Sequence, residues 1–245
     1  MLYDAYTVAW KEVKTFGQGG SRGRLWALIF PAVFGIIMPL QMGKVWLETP
    51  AGVVFWVIVP LILVASWVAD AFAGEKERHT LETLLASRLS DRAILLGKVG
   101  ATISYAWGVS VLIFLVGVIT ANVVNWSGTF RFYSPEITLA GLGFSLLVAG
   151  LAATAGTLIS LRASTVRQAQ QIVSLGLFAI IWLPIIGLNL ASQYLPKGWL
   201  AGMVEGNEGN WTAVILGVLA FLAVVDVVLF VATLARFQRT KLVLD

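Results

Sequence analysis

The sequence predicts an all-α integral membrane protein with six transmembrane helices and both termini cytoplasmic. Three observations lead there. Hydrophobic residues make up 58% of the 245-residue chain, at a mean hydropathy of +0.86. Charged residues make up only 12%, about half of what a soluble domain carries. The basic residues fall almost entirely on one set of alternating loops. The chain has no cysteine, which excludes disulfides, thiolate metal sites and thiol catalysis.

Residues 2–16, LYDAYTVAWKEVKTF, hold Asp4, Lys11, Glu12 and Lys14 and have no unbroken apolar run, so they do not read as a signal peptide. Leu2, Tyr6, Trp10 and Val13 recur at helical spacing with the lysines off that stripe. This pattern predicts an amphipathic helix lying in the membrane interface, and the lipid bilayer is its expected partner. The glycine-rich run Gly17 to Arg24 reads as an elbow, so residues 1–24 form interfacial helix plus elbow.

A spanning helix needs about 20 predominantly apolar residues. Stretches of that kind are Leu25–Gly43, Ala51–Ala69, Val99–Ala121, Ile137–Leu161, Gln168–Ala191 and Ala213–Ala235, the last interrupted by Asp226. One face would hold fourteen basic residues, from Lys11 and Lys14 through Lys76, Arg78, Arg88, Arg92 and Lys98 to Lys241. The other holds Lys44, Arg131 and Lys197. The positive-inside rule makes the first face cytoplasmic. Basic residues spread over short loops beside membrane ends do not form a nucleic-acid surface. Trp46, Trp126, Trp199 and Trp211 fall near predicted outer ends, as in an aromatic belt. In the fourth span, Ala149/Ala153 and Ala152/Gly156 are small pairs that let a second helix approach closely, within the subunit or across a dimer.

Between spans two and three stands GEKERHTLETLLASRLSDRAILLGK, Gly74 to Lys98, with five basic and four acidic residues. Helix formers dominate from Glu75 to Leu89, with Leu81, Leu84, Leu85 and Leu89 on one stripe. Ser90 reads as an N-cap and Asp91 sits well in the first turn of the next helix. The leucine stripe has two readings: burial against the chain's own helix ends, or docking in a groove of a soluble partner.

This stretch resembles the segment after the second span in permease subunits of type-2 ATP-binding-cassette (ABC) transporters of the exporter class. Those proteins carry GE-(K/R)-E-x-G-T-L-E-x-L-L, a serine-rich step and a closing LGK. The match is nearly continuous over about 25 residues. It departs at His79, where the family commonly has glycine; an exposed helix position would tolerate the change. The resemblance implies that residues 72–98 contain the coupling helix, a cytoplasmic element seated in a cleft of a separate ATPase. By position, Glu75, Glu77, Arg78, Glu82 and Arg88 would make polar contacts there, and Leu81, Leu84 and Leu85 apolar ones. It further implies two ATPase copies, a second permease subunit, the same or homologous, and short re-entrant helices in the outer loop 192–212. ATP and magnesium would sit in the ATPase, with no cofactor on this chain. The expected location is the plasma (inner) membrane of a prokaryotic cell.

Catalytic chemistry finds little support. No GxxxxGK[ST] phosphate loop occurs, and His79 is the only histidine, in the cytosolic insert. A Ser–His dyad or HExxH site inside the bilayer is therefore excluded. The competing reading is an ion-coupled secondary transporter or a membrane scaffold without an ATPase. Its best evidence is Asp226 within the sixth span, a possible pathway residue; a bundle-facing structural carboxylate is the alternative. Pro31, Pro39, Pro60 and Pro184 are candidate helix breaks of the kind transporters place at binding sites.

Overall fold

The computed structural model describes residues 1–18, 28–48, 51–126, 128–194 and 211–237, and every regular element among them is helical. In chain order these are α1 (Leu2–Gln18), α2 (Leu28–Met42), α3 (Val45–Glu48), α4 (Ala51–Glu77), α5 (Leu81–Leu85), α6 (Asp91–Val124), α7 (Pro135–Arg162), α8 (Val166–Tyr194) and α9 (Trp211–Arg236). Four stretches among the described residues have the length and composition to cross a membrane: Val54–Glu77, Asp91–Val124, Pro135–Arg162 and Ile215–Arg236. They coincide with the second, third, fourth and sixth predicted spans. Helix α8 covers the predicted fifth, and α2 is the described part of the first.

None of the four prolines breaks its helix. Pro39 leaves a local mark: the turn before it, Val33–Ile37, is π-helical. A proline ring crowds the carbonyl four residues back, and widening the preceding turn relieves that clash. Gly43, in the left-handed region at φ +57°, then ends α2.

Helices α4, α6 and α7 form the centre, and α4 against α7 is the most extensive contact. The small residues of α7 make it possible: Ala149, Ala152, Ala153 and Gly156 are all buried. A Cβ on Gly156 would stand 2.1 Å from Val68 Cγ1 on α4. The small-residue face therefore serves packing within the subunit. Helix α9 lies outside this centre, packs mainly on α7, and exposes Leu216, Phe221, Val224 and Val228.

At the end away from the insert, aromatic rings close the bundle. Trp56 meets Phe114 and Tyr133 edge-on at 4.5 and 5.1 Å between centroids, and Trp46 stacks on Phe55 at 5.5 Å. The Tyr133 hydroxyl donates to the Trp46 carbonyl. Asn122 holds the chain before α7 by two 2.7 Å bonds, donating to the Arg131 carbonyl and accepting from its N–H. Trp46 is thus a core residue at 0% exposure, where the sequence suggested a belt anchor; Gly117 leaves room for its indole. Trp126, at 64% exposure, sits as a belt residue would. Trp199 and the side chain of Trp211 lie outside the described residues, as does most of the loop 192–212.

Gly156→Ala is expected to overpack the α4–α7 contact and destabilise the protein by about 1–3 kcal/mol. Adding Val68→Ala should recover much of that loss in a detergent melting series. A double variant no more stable than Gly156→Ala would show that the contact is looser than these distances indicate.

Candidate functional site

The insert follows from how α4 ends. The helix continues past its apolar stretch to Glu77 and closes in a Schellman motif. The Thr80 N–H donates to the Glu75 carbonyl at 2.9 Å, and the His79 N–H to the Lys76 carbonyl at 3.1 Å. His79 occupies the left-handed position of that motif at φ +53°. The helix expected from Glu75 to Leu89 is therefore interrupted at Arg78–Thr80, and α5 is a single turn. His79 is therefore not at the exposed helix position expected for it. Glycine suits that position because the backbone is left-handed there. Ser90 caps α6 as the sequence predicts: its Oγ accepts from the Ala93 N–H at 3.3 Å, with Asp91 in the first turn.

A polar junction joins the ends of α1, α4 and α6. Lys98 on α6 is 3% exposed, and its ammonium donates to Glu12 Oε1 on α1, to Glu75 Oε1 on α4 and to the Ala71 carbonyl on α4, each at 2.9 Å. Three protons meet three acceptors, so the buried cation is saturated. The ring of Phe72 lies 5.3 Å from the same nitrogen. Lys11 adds a second cation 3.8 Å from Glu75. Neighbouring Gly97 lets α1 in: a Cβ there would lie 2.5 Å from Val8 Cβ and 2.7 Å from the Ala5 carbonyl.

The end of α4 is also stitched to α7 and α8. The Ser160 hydroxyl enters the backbone ladder of α4, donating to the Ala69 carbonyl at 3.0 Å and accepting from the N–H groups of Phe72 and Ala73. Lys76 donates to the Leu161 carbonyl at 2.7 Å, near the C-terminus of α7, where a cation is favoured. Glu77 accepts from the Val166 N–H at 2.9 Å and so caps α8. Arg78 makes a two-pronged pair with Asp70, both bonds 3.2 Å. Those bonds, partly offset by burial, raise the guanidinium above its ordinary pKa. Gly74 allows the pair to cross, since a Cβ there would overlap the Asp70 carboxylate.

The predicted docking residues consequently divide. Glu75 is turned inward at 6% exposure and bound to Lys98, so it presents no outward surface. Glu77 and Arg78 are exposed but engaged with Val166 and Asp70. Leu84 is half-buried against the chain's own core, as is Leu89. The side chains of Leu81 and Leu85 lie outside the described residues. Glu82 and Arg88 are exposed in the middle of the insert, with Thr83 and Ala86. Lys98, Gly97, Glu12 and Ser160 were not singled out by sequence. The signal available was the pairing of GE at one end of the insert with GK at the other.

Asp226 is distant from this junction in sequence and on another helix. It faces Gly150 of α7, its carboxylate oxygens 2.9 and 3.0 Å from where a Cβ on that glycine would stand. Its Oδ1 is buried without a hydrogen-bond partner among the described residues. Among those residues no group of His, Cys, Asp and Glu is arranged to hold a metal ion.

Long apolar helices with a folded polar insert at one end define a multi-pass helical membrane protein. The chain belongs to the ABC-2 type transporter family, whose family model matches residues 3–207, and within it to the permease subunits. It is similar to the ABC transporter permease protein NatB of Bacillus subtilis (strain 168), 27% identical over 217 residues. That match takes in 76% of this chain and 54% of NatB, so the chain spans about half the length of this curated relative.

Two stability outcomes follow from the junction. Lys98→Met leaves Glu12 without its cation and Glu75 with only the longer Lys11 contact, and should cost about 3–5 kcal/mol. His79→Gly removes a left-handed β-carbon and should stabilise by about 1 kcal/mol. Thermal unfolding in detergent reads both; a lower melting temperature for His79→Gly would contradict the cap assignment.

Proposed function

We infer that this chain is the transmembrane permease subunit of an ATP-driven exporter, with six spans and both termini in the cytoplasm. Two copies, or this chain and a homologous permease, form the pathway between them. Two ATPase subunits dock on the insert from the cytosol, bind ATP and magnesium, and on closing push the insert so that the pathway opens outward. The chain supplies path and force receiver, with no active site of its own. Helix α1 lies in the membrane interface: Leu2, Tyr3, Tyr6 and Trp10 point away from Val8, the residue that seats α1 on α6. The exposed apolar faces of α8 and α9 are left for lipid and for the second permease.

The observation that carries this reading is the insert. Its flanks are locked by ionic and capping bonds, while Glu82 and Arg88 are exposed in its middle. Rigid flanks around an exposed middle suit a segment that receives a push. A carrier without an ATPase has no use for it. The docking surface is accordingly narrower than the sequence alone suggests: Glu82 and Arg88 lead, and Glu75 and Leu84 support from within.

The decisive experiment is a mild-detergent pull-down of the chain from its native membrane, with mass spectrometry and an ATPase assay. A stoichiometric ATP-binding subunit with vanadate-sensitive turnover is expected. A chain that purifies alone and without turnover would overturn the reading in favour of an ion-coupled carrier built on Asp226. In the same assay, Glu82→Lys combined with Arg88→Glu should abolish recovery of the ATPase and leave the melting temperature of the permease unchanged.

A further inference from the structure

We propose that Lys98 is a positioning residue that makes α1 move with the insert, an inference that rests on the docking reading above. Helix α1 touches α6 through Val8 and Ala5 over Gly97, an apolar seat without directional bonds. Its short hydrogen bond is Glu12 to Lys98, and Lys98 is bonded at the same time to α4 through Ala71 and Glu75. Lys11 of α1 also pairs with Glu75, but at 3.8 Å and from a side chain 62% exposed, where an ion pair contributes little.

Glu75 is the relay on the insert side. Its carbonyl accepts the Thr80 N–H and the Thr80 hydroxyl, which start α5. Its carboxylate holds Lys98. One residue thus fixes the first turn of the insert with its backbone and the α1 anchor with its side chain. The ammonium has no fourth proton and almost no exposed surface. If the insert shifts Glu75, Lys98 must either follow and carry Glu12 or lose a bond in a site that water does not replace. Helix α1 is the element free to follow, because its outward face, with Leu2, Tyr3, Tyr6 and Trp10, is exposed. A push on the insert then also tilts the Tyr3, Tyr6 and Trp10 face in the lipid headgroup layer.

The test uses the permease with its ATPase in lipid nanodiscs. The chain has no native cysteine, so introduced cysteines are the permease's only labelling sites. One spin-label pair is Thr7→Cys on α1 with Val123→Cys at the far end of α6; the other is Ala86→Cys in the insert with Val123→Cys. Distances are measured without nucleotide and after ATP–vanadate trapping. Both pairs should shift in the parent. In Glu12→Ala, which leaves the Lys98–Glu75 pair intact, the insert pair should still shift and the α1 pair should lose its shift. Glu12→Gln should restore it, because the amide oxygen still accepts from Lys98. Lys98→Met, where it folds, should behave as Glu12→Ala. An α1 pair that shifts in Glu12→Ala as in the parent overturns the proposal while the docking reading stands. So does an α1 pair that stays still in a parent whose insert moves. An insert pair that does not respond to nucleotide in the parent removes the docking reading, and this proposal with it.

Discussion

A cation buried at the base of a membrane bundle has to be saturated with hydrogen bonds, and the insert end of this protein is arranged around that requirement. Lys98 sits on α6 where the helix meets both α1 and α4, and each of its three protons has an acceptor. Removing any one acceptor leaves a donor unpaired where water cannot compensate, so the three helices hold one another in register. The glycines of the insert serve the same arrangement. Gly97 admits α1 to the distance at which Glu12 reaches the ammonium. Gly74 clears the space through which Arg78 reaches Asp70, one turn from the carboxylate of Glu75. The four outer letters of the insert, GE at the start and GK at the end, form an interlock.

Helix α4 is the member through which this interlock reaches the rest of the fold. It lies against α7 along a face of alanine and glycine, and the Ser160 hydroxyl substitutes for part of its backbone ladder where the helix leaves its apolar stretch. Lys76 and Glu77 then satisfy a carbonyl near the end of α7 and an amide at the start of α8. Orphan backbone groups at helix ends are costly near a membrane. Here the side chains that satisfy them come from the same turn of α4, so the ends of three helices are fixed by one segment of six residues, Gly74 to His79.

Four of the spans and the insert were legible because hydropathy and charge spacing report them directly. The Ser90 cap was legible too, since a serine before an aspartate and an apolar run has few other uses. What was not legible depends on contacts between residues far apart in the chain. Glu75 reads as a surface charge on a polar helix; it turns inward because Lys98, 23 residues on, comes back beside it. Lys98 reads as a topology marker, and only the return of α1 from 86 residues earlier makes it a node. Leu84 left two readings open, and its half-buried place on the core favours the chain's own interior. His79 reads as a helical residue because periodicity carries no information about the sign of φ.

These contacts also decide what can move. The end away from the insert is closed by the Trp46, Trp56 and Tyr133 cluster and by the two bonds of Asn122, and the insert end by Lys98 and Ser160. Helices α4, α6 and α7 are therefore tied together near both ends. A displacement applied at the insert cannot be absorbed by bending within that block, since close-packed contacts such as Gly156 against Val68 leave no slack. It has to appear as a tilt of the block. It also has to act against the elements packed at its edge, α1 on the insert side and α9 on the flank. For α9 the contacts include Phe230 and Leu234 on the core and Asp226 against Gly150, a carboxylate resting on a bare backbone whose buried oxygen has no hydrogen-bond partner among the described residues. That seat is held by shape, whereas α1 is held by an ion pair. Under the proposed coupling, the Glu12–Lys98 bond makes α1 travel with the block.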